Sequence, residues 1–262
     1  MIQSTTKKLG VEVRGHTALV TIDNPPANTW DAESLGGLQA LVAACNADKS
    51  IYAIVITGKG EKFFSAGADL KLFADGDKAV AATMSIAFGA AFEALANFRG
   101  VTIAAINGFA MGGGLECALA CDIRIAEKQA QMALPEATVG LLPCGGGTQN
   151  LAWVVGEGWA KRMILCGERV AADRALEIGL VEEVVETGAA LDKALALAES
   201  AGKQSPPAVT ACKGLIQRAR EGDIASAYAS ERESFVKLFD TLDQTEGVKA
   251  FLEKRKPLWK NA

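Results

Sequence analysis

The sequence predicts an α/β fold, with a layered core over residues 1–200 and a helical C-terminal region over 201–262. Three observations predict it. Short apolar runs rich in β-branched residues alternate with helical patterns up to about residue 148. From there the helical pattern dominates, and Ser205-Pro206-Pro207 marks the boundary before the last helices. Three apolar runs also end at loops of small residues, and in open α/β sheets such strand ends are where sites form.

The elements follow in order. Residues 11–15 and 17–23 read as a hairpin around Gly15-His16. NPPAN at 24–28 is a loop, because two prolines cannot supply helix or ladder hydrogen bonds. Asp31 can cap a helix running to about residue 47. IYAIVITG at 51–58 is a buried strand ending in glycine, and KGEKFFSAGADL follows as a loop. Residues 78–98 form a helix, 101–107 an apolar strand and 122–126 a shorter one. Helices are then predicted over 148–155, 157–166, 171–178, 189–203, 207–220 and roughly 223–240, with one strand at 179–186. No sequence repeat and no run of 18 apolar residues stands out, so no membrane span is expected.

Composition narrows the chemistry. The 262 residues carry 27 Lys and Arg against 31 Asp and Glu, a net charge of −4 that gives no electrostatic support for binding nucleic acid or an anionic membrane. Six cysteines are scattered through a chain able to build its own core, and MIQSTTKKLGVEV lacks the apolar stretch of a signal peptide. Reduced thiols in a cytoplasmic protein are therefore expected. Cys117 and Cys121 lie four apart and read as small core residues, since no histidine or second cysteine pair gives metal-ligand spacing. His16 is the only histidine. It excludes the two-histidine zinc helix, and no G-x-S-x-G elbow accompanies it. Carboxylates are then the first candidates for acid–base chemistry near neutral pH.

The loops SAGADL at 65–70 and MGGGLE at 111–116 carry little side chain, so their backbone groups are what a ligand would meet. In the second, the glycines open a helix, where N–H groups lack helical partners. Two readings fit: close helix packing, and an anion hole for charge developing on a carbonyl oxygen. Nucleotide loops do not fit, because neither G-x-G-x-x-G nor a Lys-Ser/Thr pair is present. Asp69 can cap the segment after SAGAD. Glu116 and Glu136 stand in apolar surroundings that would desolvate a carboxylate and raise its pKa, and exposure at the surface is the other reading.

Taken in order, NPPAN at 24–28, FSAGADL at 64–70, INGFAMGGGLECALACDIRIA at 106–126, LPEATVGLLPCGGGTQNL at 134–151 and FLEKRKPLWK at 251–260 resemble the crotonase superfamily of enoyl-CoA hydratases and isomerases. The resemblance spans nearly the whole chain. It implies a crotonase-like spiral of ββα units with a helical C-terminal oligomerisation region, assembled as a homotrimer or a dimer of trimers. It implies an acyl-CoA thioester as the small-molecule substrate, with coenzyme A carried in the substrate and no separate cofactor, metal or nucleic acid.

Carried across by motif, the N–H groups of Ala68 and Gly113 would form the oxyanion hole. Ala66 and Leu70 would meet the adenine end of coenzyme A, and Ala27, Asp69, Gly112 and Pro135 would belong to the same substrate site. Lys254 would reach the phosphates, on a neighbouring subunit. Glu116 and Glu136 match the two catalytic acids of family hydratases, one protonated and one ionised. Family isomerases commonly keep only the second, so an isomerase, or another acyl-CoA lyase or hydrolase on this scaffold, is the alternative. A non-catalytic CoA- or RNA-binding homologue is the alternative of another class. The family's usual P-G-x-G-G-T-Q-R-L reads PCGGGTQNL here, with Cys144 for the first Gly and Asn150 for the Arg. Trp30 and Phe73 are bulky and are expected to narrow the acyl pocket.

Overall fold

The fold is that of a computed structural model describing residues 2–220 and 224–262. Strands β1 (Leu9–Arg14) and β2 (Thr17–Ile22) form the antiparallel hairpin expected around Gly15-His16, with Leu9 opposite Ile22. Strand β2 then pairs in parallel with β3 (Ala53–Gly58), which pairs with β5 (Val101–Ile106), then β7 (Ile123–Glu127) and β10 (Glu183–Val185). A second sheet is made of much shorter strands: β4 (Phe63–Ser65), β6 (Phe109–Met111), β8 (Gln131–Ala133) and β9 (Val170–Ala171). The first three of these are parallel, and β9 is antiparallel to β8.

The chain therefore repeats one move. A long strand of the first sheet leads to a short strand of the second and then to a helix: β3, β4 and α2 (Lys78–Ala96); β5, β6 and α3 (Gly113–Leu119); β7, β8 and α4 (Gly147–Leu165). This is the ββα spiral that the resemblance implies. The short strands fall in stretches the sequence reads as loops. At three residues each, FFS, FAM and QMA are too short to show alternation.

Side-chain alternation divides the core between the two faces of the long sheet. Val20, Ile22, Ile54, Ile56, Ala104 and Ile106 join the larger apolar cluster. Leu19, Ala53, Val55, Ile103, Ala105 and Ile125 face the other way, onto Ala190, Ala194 and Ala198 of α6 (Ala190–Ala201), whose small side chains let the helix lie close. Helix α2 is long and apolar enough, by length and composition alone, to cross a membrane. Here Met84, Phe88, Ala91, Phe92 and Leu95 pack into the larger cluster.

Local signals explain the ends of several helices. Asp31 caps α1 (Ala32–Ala47): its Oδ1 accepts from Ser34 N at 2.9 Å, while Ser34 Oγ accepts from Asp31 N at 2.9 Å. Lys8 forms an ion pair with the same carboxylate. In α4 the helical geometry breaks at Gly156, with φ 77° and ψ 160°, where the sequence reading divides 148–155 from 157–166. The predicted helix 171–178 is α5 (Ala172–Glu177), preceded by β9.

After Ser205 the chain runs through α7 (Pro206–Arg218), α8 (Ile224–Lys237) and α9 (Leu242–Leu252). Residue 223, where the sequence reading begins the second of these, lies outside the described residues. Helix α9 is additional to the helices read in sequence; Gly247 interrupts its pattern. Helix α7 is tied to the core. Lys213 Nζ donates to Asp122 Oδ2 at 2.8 Å and to Gly100 O at 3.0 Å, and Gln217 donates to Ala96 O at 2.9 Å.

Asp31→Ala removes the cap and the partner of Lys8 together. It is expected to lower stability by about 1–2 kcal/mol in denaturant unfolding, within the range for lost helix caps; no measurable loss would show that the first turn of α1 is held by packing alone.

Candidate active site

Strands β4, β6 and β8 run parallel, so the loops that leave them emerge along one edge. These loops are SAGAD, MGGG and LPE. The SAGAD backbone is held by the segment before α1. Ala66 N donates to Ala27 O at 3.0 Å, Trp30 N to Gly67 O at 2.8 Å, and Asp69 N to Trp30 O at 3.0 Å. This pattern, a parallel bridge between Trp30 and Ala68, leaves Ala68 N–H without an acceptor among the described residues. Ala27 and Asp69 thus shape the loop without lining the cavity. Asp69 caps the short 3-10 turn Leu70–Phe73, accepting from Lys71 N at 3.2 Å.

The three glycines each answer a different demand. Gly112 has φ 52° and ψ −126°, a conformation few side chains tolerate. A Cβ on Gly113 would lie 2.7 Å from Phe88 Cε1, and one on Gly114 would lie 2.2 Å from Ser65 O. Both readings of MGGG therefore hold: the helix start packs closely, and it presents bare backbone. Gly67 completes the contact, since a Cβ there would be 2.7 Å from Met111 O and 3.1 Å from Gly113 N. The SAGAD and MGGG loops touch at this point. Gly113 N–H, first in α3, also has no acceptor among the described residues. Two unengaged amides on touching loops can receive one carbonyl oxygen.

Glu116 lies one turn further on and is 2% exposed. Its Oε1 accepts from Gly145 N at 2.7 Å and from Gly147 N at 2.9 Å. Burial pushes its pKa up, and the two amides oppose that by favouring the anion. Glu136 opens the short 3-10 turn after Pro135. Only its own backbone N–H opposes the loss of charge, and its Oε2 is buried without a partner among the described residues. Burial, with a smaller contribution from the Glu116 charge, raises its carboxyl to about 7. A Cβ on Gly112 would lie 3.2 Å from Glu136 Oε1, so this acid stands beside the MGGG loop.

Both glutamates line one open cavity of about 570 Å³, together with Ala66, Ala68, Leu70, Gly112, Gly113 and Pro135. The structure brings these sequence-predicted residues together. Lys254 is exposed beyond α9 and does not line the cavity of its own chain. Its neighbour Arg255 is engaged by Glu246 at 2.6 Å. Phe73 lines the cavity as expected, but Trp30 does not. Trp30 is fully buried beneath the SAGAD loop, which corrects the expectation that it narrows the acyl pocket. Cys144 is on the cavity wall, partly solvent-exposed, its thiol raised to about 11 by the desolvation of the cavity and by the charges of both glutamates. Asn150 lies elsewhere, on α4. Sequence reasoning missed Phe88, whose ring meets the cavity, and Phe92, one turn along; their i, i+4 spacing on an apolar helix was the available signal.

The family model for enoyl-CoA hydratase/isomerase matches residues 12–262. The chain is 38% identical to the short-chain-enoyl-CoA hydratase of Clostridium acetobutylicum, over 94% of this chain and 95% of that protein. Among solved structures, it superposes on Pseudomonas aeruginosa DspI with a TM-score of 0.95 and 66% identity, over 97% of each chain. It superposes on an enoyl-CoA hydratase from Bacillus anthracis with a TM-score of 0.94 and 34% identity, over 98% of this chain and all (100%) of that one. Matched almost from end to end in sequence and in backbone, the chain belongs to the enoyl-CoA hydratase/isomerase family.

Proposed function

We propose that this protein is an enoyl-CoA hydratase, a hydro-lyase that adds water across the 2,3 double bond of an enoyl-CoA thioester and reverses that addition. The observation that carries this reading is the pair of unlike carboxylates in one cavity, beside two unengaged amides. The N–H groups of Ala68 and Gly113 bind the thioester oxygen and stabilise the enolate-like charge it gains as C3 is attacked. One such donor contributes roughly 3–4 kcal/mol to transition-state stability in an acyl-transfer hole.

Glu116 is the base. With Oε1 held by two amides, Oε2 remains to orient a water and take its proton. Glu136 is the acid. A carboxyl raised to about 7 retains a proton at neutral pH, and that proton goes to C2. Hydroxide equivalent ends on C3 and hydrogen on C2, and the enzyme has moved one proton from Glu136 to Glu116. Solvent exchange restores the pair. The step needs no oxidant, and coenzyme A enters as part of the substrate.

Ala66 and Leu70 stand on the same loop at the cavity edge and would meet the adenine end of coenzyme A. Lys254 belongs to this reading as a phosphate contact made across a homotrimer or dimer of trimers, in the cytoplasm. Its own chain leaves it exposed.

Glu116→Gln and Glu136→Gln are each expected to lower crotonyl-CoA hydration by about 10²–10⁴-fold, followed as loss of the enoyl-thioester absorbance, with coenzyme A binding kept. A Glu116→Gln enzyme that still shifts double bonds at the wild-type rate would place the protein among the isomerases. Hydration uses the form of the pair that holds one proton, so its rate should fall on the alkaline side with a midpoint near the Glu136 value of about 7. Stability should follow the same group. Its folded pKa lies above its usual 4.5, so the folded state binds the extra proton, and stability declines as pH rises from about 4.5 through about 7. Glutamine has no such decline. The melting temperature of Glu136→Gln minus that of wild type should therefore be larger at pH 8 than at pH 5.

A further inference from the structure

We propose that a buried column of three aromatic rings, Trp30, Phe92 and Phe88, is the positioning element that fixes the two carbonyl-binding amides and the Glu116 carboxylate relative to one another. The inference rests on the hydratase reading of this site and extends it to residues outside the reacting shell. Trp30 and Phe92 meet edge to face with ring centroids 5.7 Å apart and planes at 76°. Phe92 and Phe88 meet in the same way at 5.7 Å and 66°. The rings are 0%, 1% and 2% exposed respectively, so each is held by close packing, Phe88 with one side on the cavity.

Each of the three residues meets a different part of the machinery. Trp30 brackets Ala68 through its main chain, its backbone N–H donating to Gly67 O and its backbone carbonyl accepting from Asp69 N, while its ring is seated in the column. Phe88 stands against Gly113, with its Cε1 only 2.7 Å from where a Cβ would be. Phe92 stands against Gly145, with its Cδ2 2.6 Å from the corresponding point. Gly145 N–H is the 2.7 Å donor to Glu116 Oε1. The column is therefore tied to the SAGAD loop through the Trp30 backbone, and its phenyl rings press on the MGGG loop and on the segment that clamps the base. Phe88 also lines the cavity, whereas Trp30 and Phe92 do not. Those two can act only through their neighbours.

Edge-to-face rings with two torsions each make a stiff spacer. Stiffness matters because a displacement of about 1 Å at a reacting group can lower the rate by about 10²-fold. Phe92 gives the cleanest test. Loss of its ring should let the Gly145 amide drift from Glu116 Oε1, removing a bond that favours the anion. Besides the Gly145 and Gly147 amides, the titratable groups facing Glu116 are Glu136, Cys144 and Cys117. All three remain in place in the variant.

The experiment compares Phe92→Leu with Phe98→Leu, a change of equal size at a ring that is 0% exposed and packs against Gly100 instead. Glu116 is titrated in the ligand-free enzyme by ¹³C-glutamate NMR, with Glu116→Gln identifying its signal, and kcat and KM are measured on crotonyl-CoA. In Phe92→Leu the Glu116 midpoint should rise by about one pH unit, the value of one weakened charge-assisted hydrogen bond. Its kcat should fall about tenfold or more with KM changed less than about threefold. Phe98→Leu should lose stability and keep both readouts. Equal titrations and equal kcat in the two variants would overturn the proposal. If Phe92→Leu does not fold, Phe92→Met, close in volume but flexible, replaces it with the same direction of change expected. A wild-type enzyme without turnover would end the hydratase reading, while the Glu116 titration would still decide whether the column positions that carboxylate.

Discussion

The site depends on how closely two backbones can pass. The SAGAD and MGGG loops meet where Gly67 lies against Met111 O and Gly113 N, at distances that any side chain would forbid. That contact places Ala68 N–H and Gly113 N–H on adjoining strands of chain with no intervening side chain. Two buried or half-buried donors left without acceptors are unfavourable, by roughly 1–3 kcal/mol each in a folded protein. The fold tolerates them because Trp30, Ser65 and Ala133 satisfy the groups on either side: Gly67 O, Gly67 N and Gly112 N all have partners. The unsatisfied positions are therefore specific, and they coincide with the cavity.

The two glutamates show how one cavity gives similar groups different protonation states. Both are desolvated, and desolvation pushes both upward. Glu116 receives two backbone N–H bonds on one oxygen, which recover part of the lost hydration of its anion. Glu136 receives none on Oε2, and the neighbouring charge adds to its burial. In the proposed hydratase, this difference in donors is what separates the base from the acid. It also gives a role to the run of glycines after Cys144: Gly145 and Gly147 donate to Glu116 from so near that a Cβ at either position would press on the carboxylate, within 3.1 Å of one of its oxygens.

The long elements were legible in the sequence because their signals are local. The β1–β2 hairpin, the Asp31 cap and the break near residue 156 follow from β-branched runs, capping chemistry and a glycine at positive φ. The short strands were not legible, because three residues carry no period and their pairing is set by the neighbouring repeat. Both catalytic candidates and both amides were read from the family resemblance, while composition alone left Glu116 and Glu136 open to an exposed role. Trp30 shows the limit of such reading. Its bulk was visible, but whether it faced the cavity or the core depends on which way the Thr29–Asp31 backbone turns, and that is fixed by hydrogen bonds to a loop in a different unit.

The repeat explains why the motifs occur in a fixed order. The first ββα unit delivers Ala68 from the loop after β4, the second delivers Gly113 and Glu116 from the start of α3, and the third delivers Glu136 after β8 and the Glu116 clamp at the start of α4. No sequence repeat accompanies this, because the units share backbone geometry and each carries a different chemical part. One parallel sheet edge then suffices to bring together groups far apart in the chain. The groups proposed to react are side chains and amides within a few residues of a strand end, where position is set by the ladder and not by a long loop. Such placement leaves little freedom to the parts that must meet one substrate. The remaining freedom lies in the cavity wall from Leu70 to Phe73 and from Val139 to Leu142, where exposed apolar side chains are held by short turns. Within the proposed hydratase, the sheet edge would set the chemistry, and the choice of acyl group would fall to those turns.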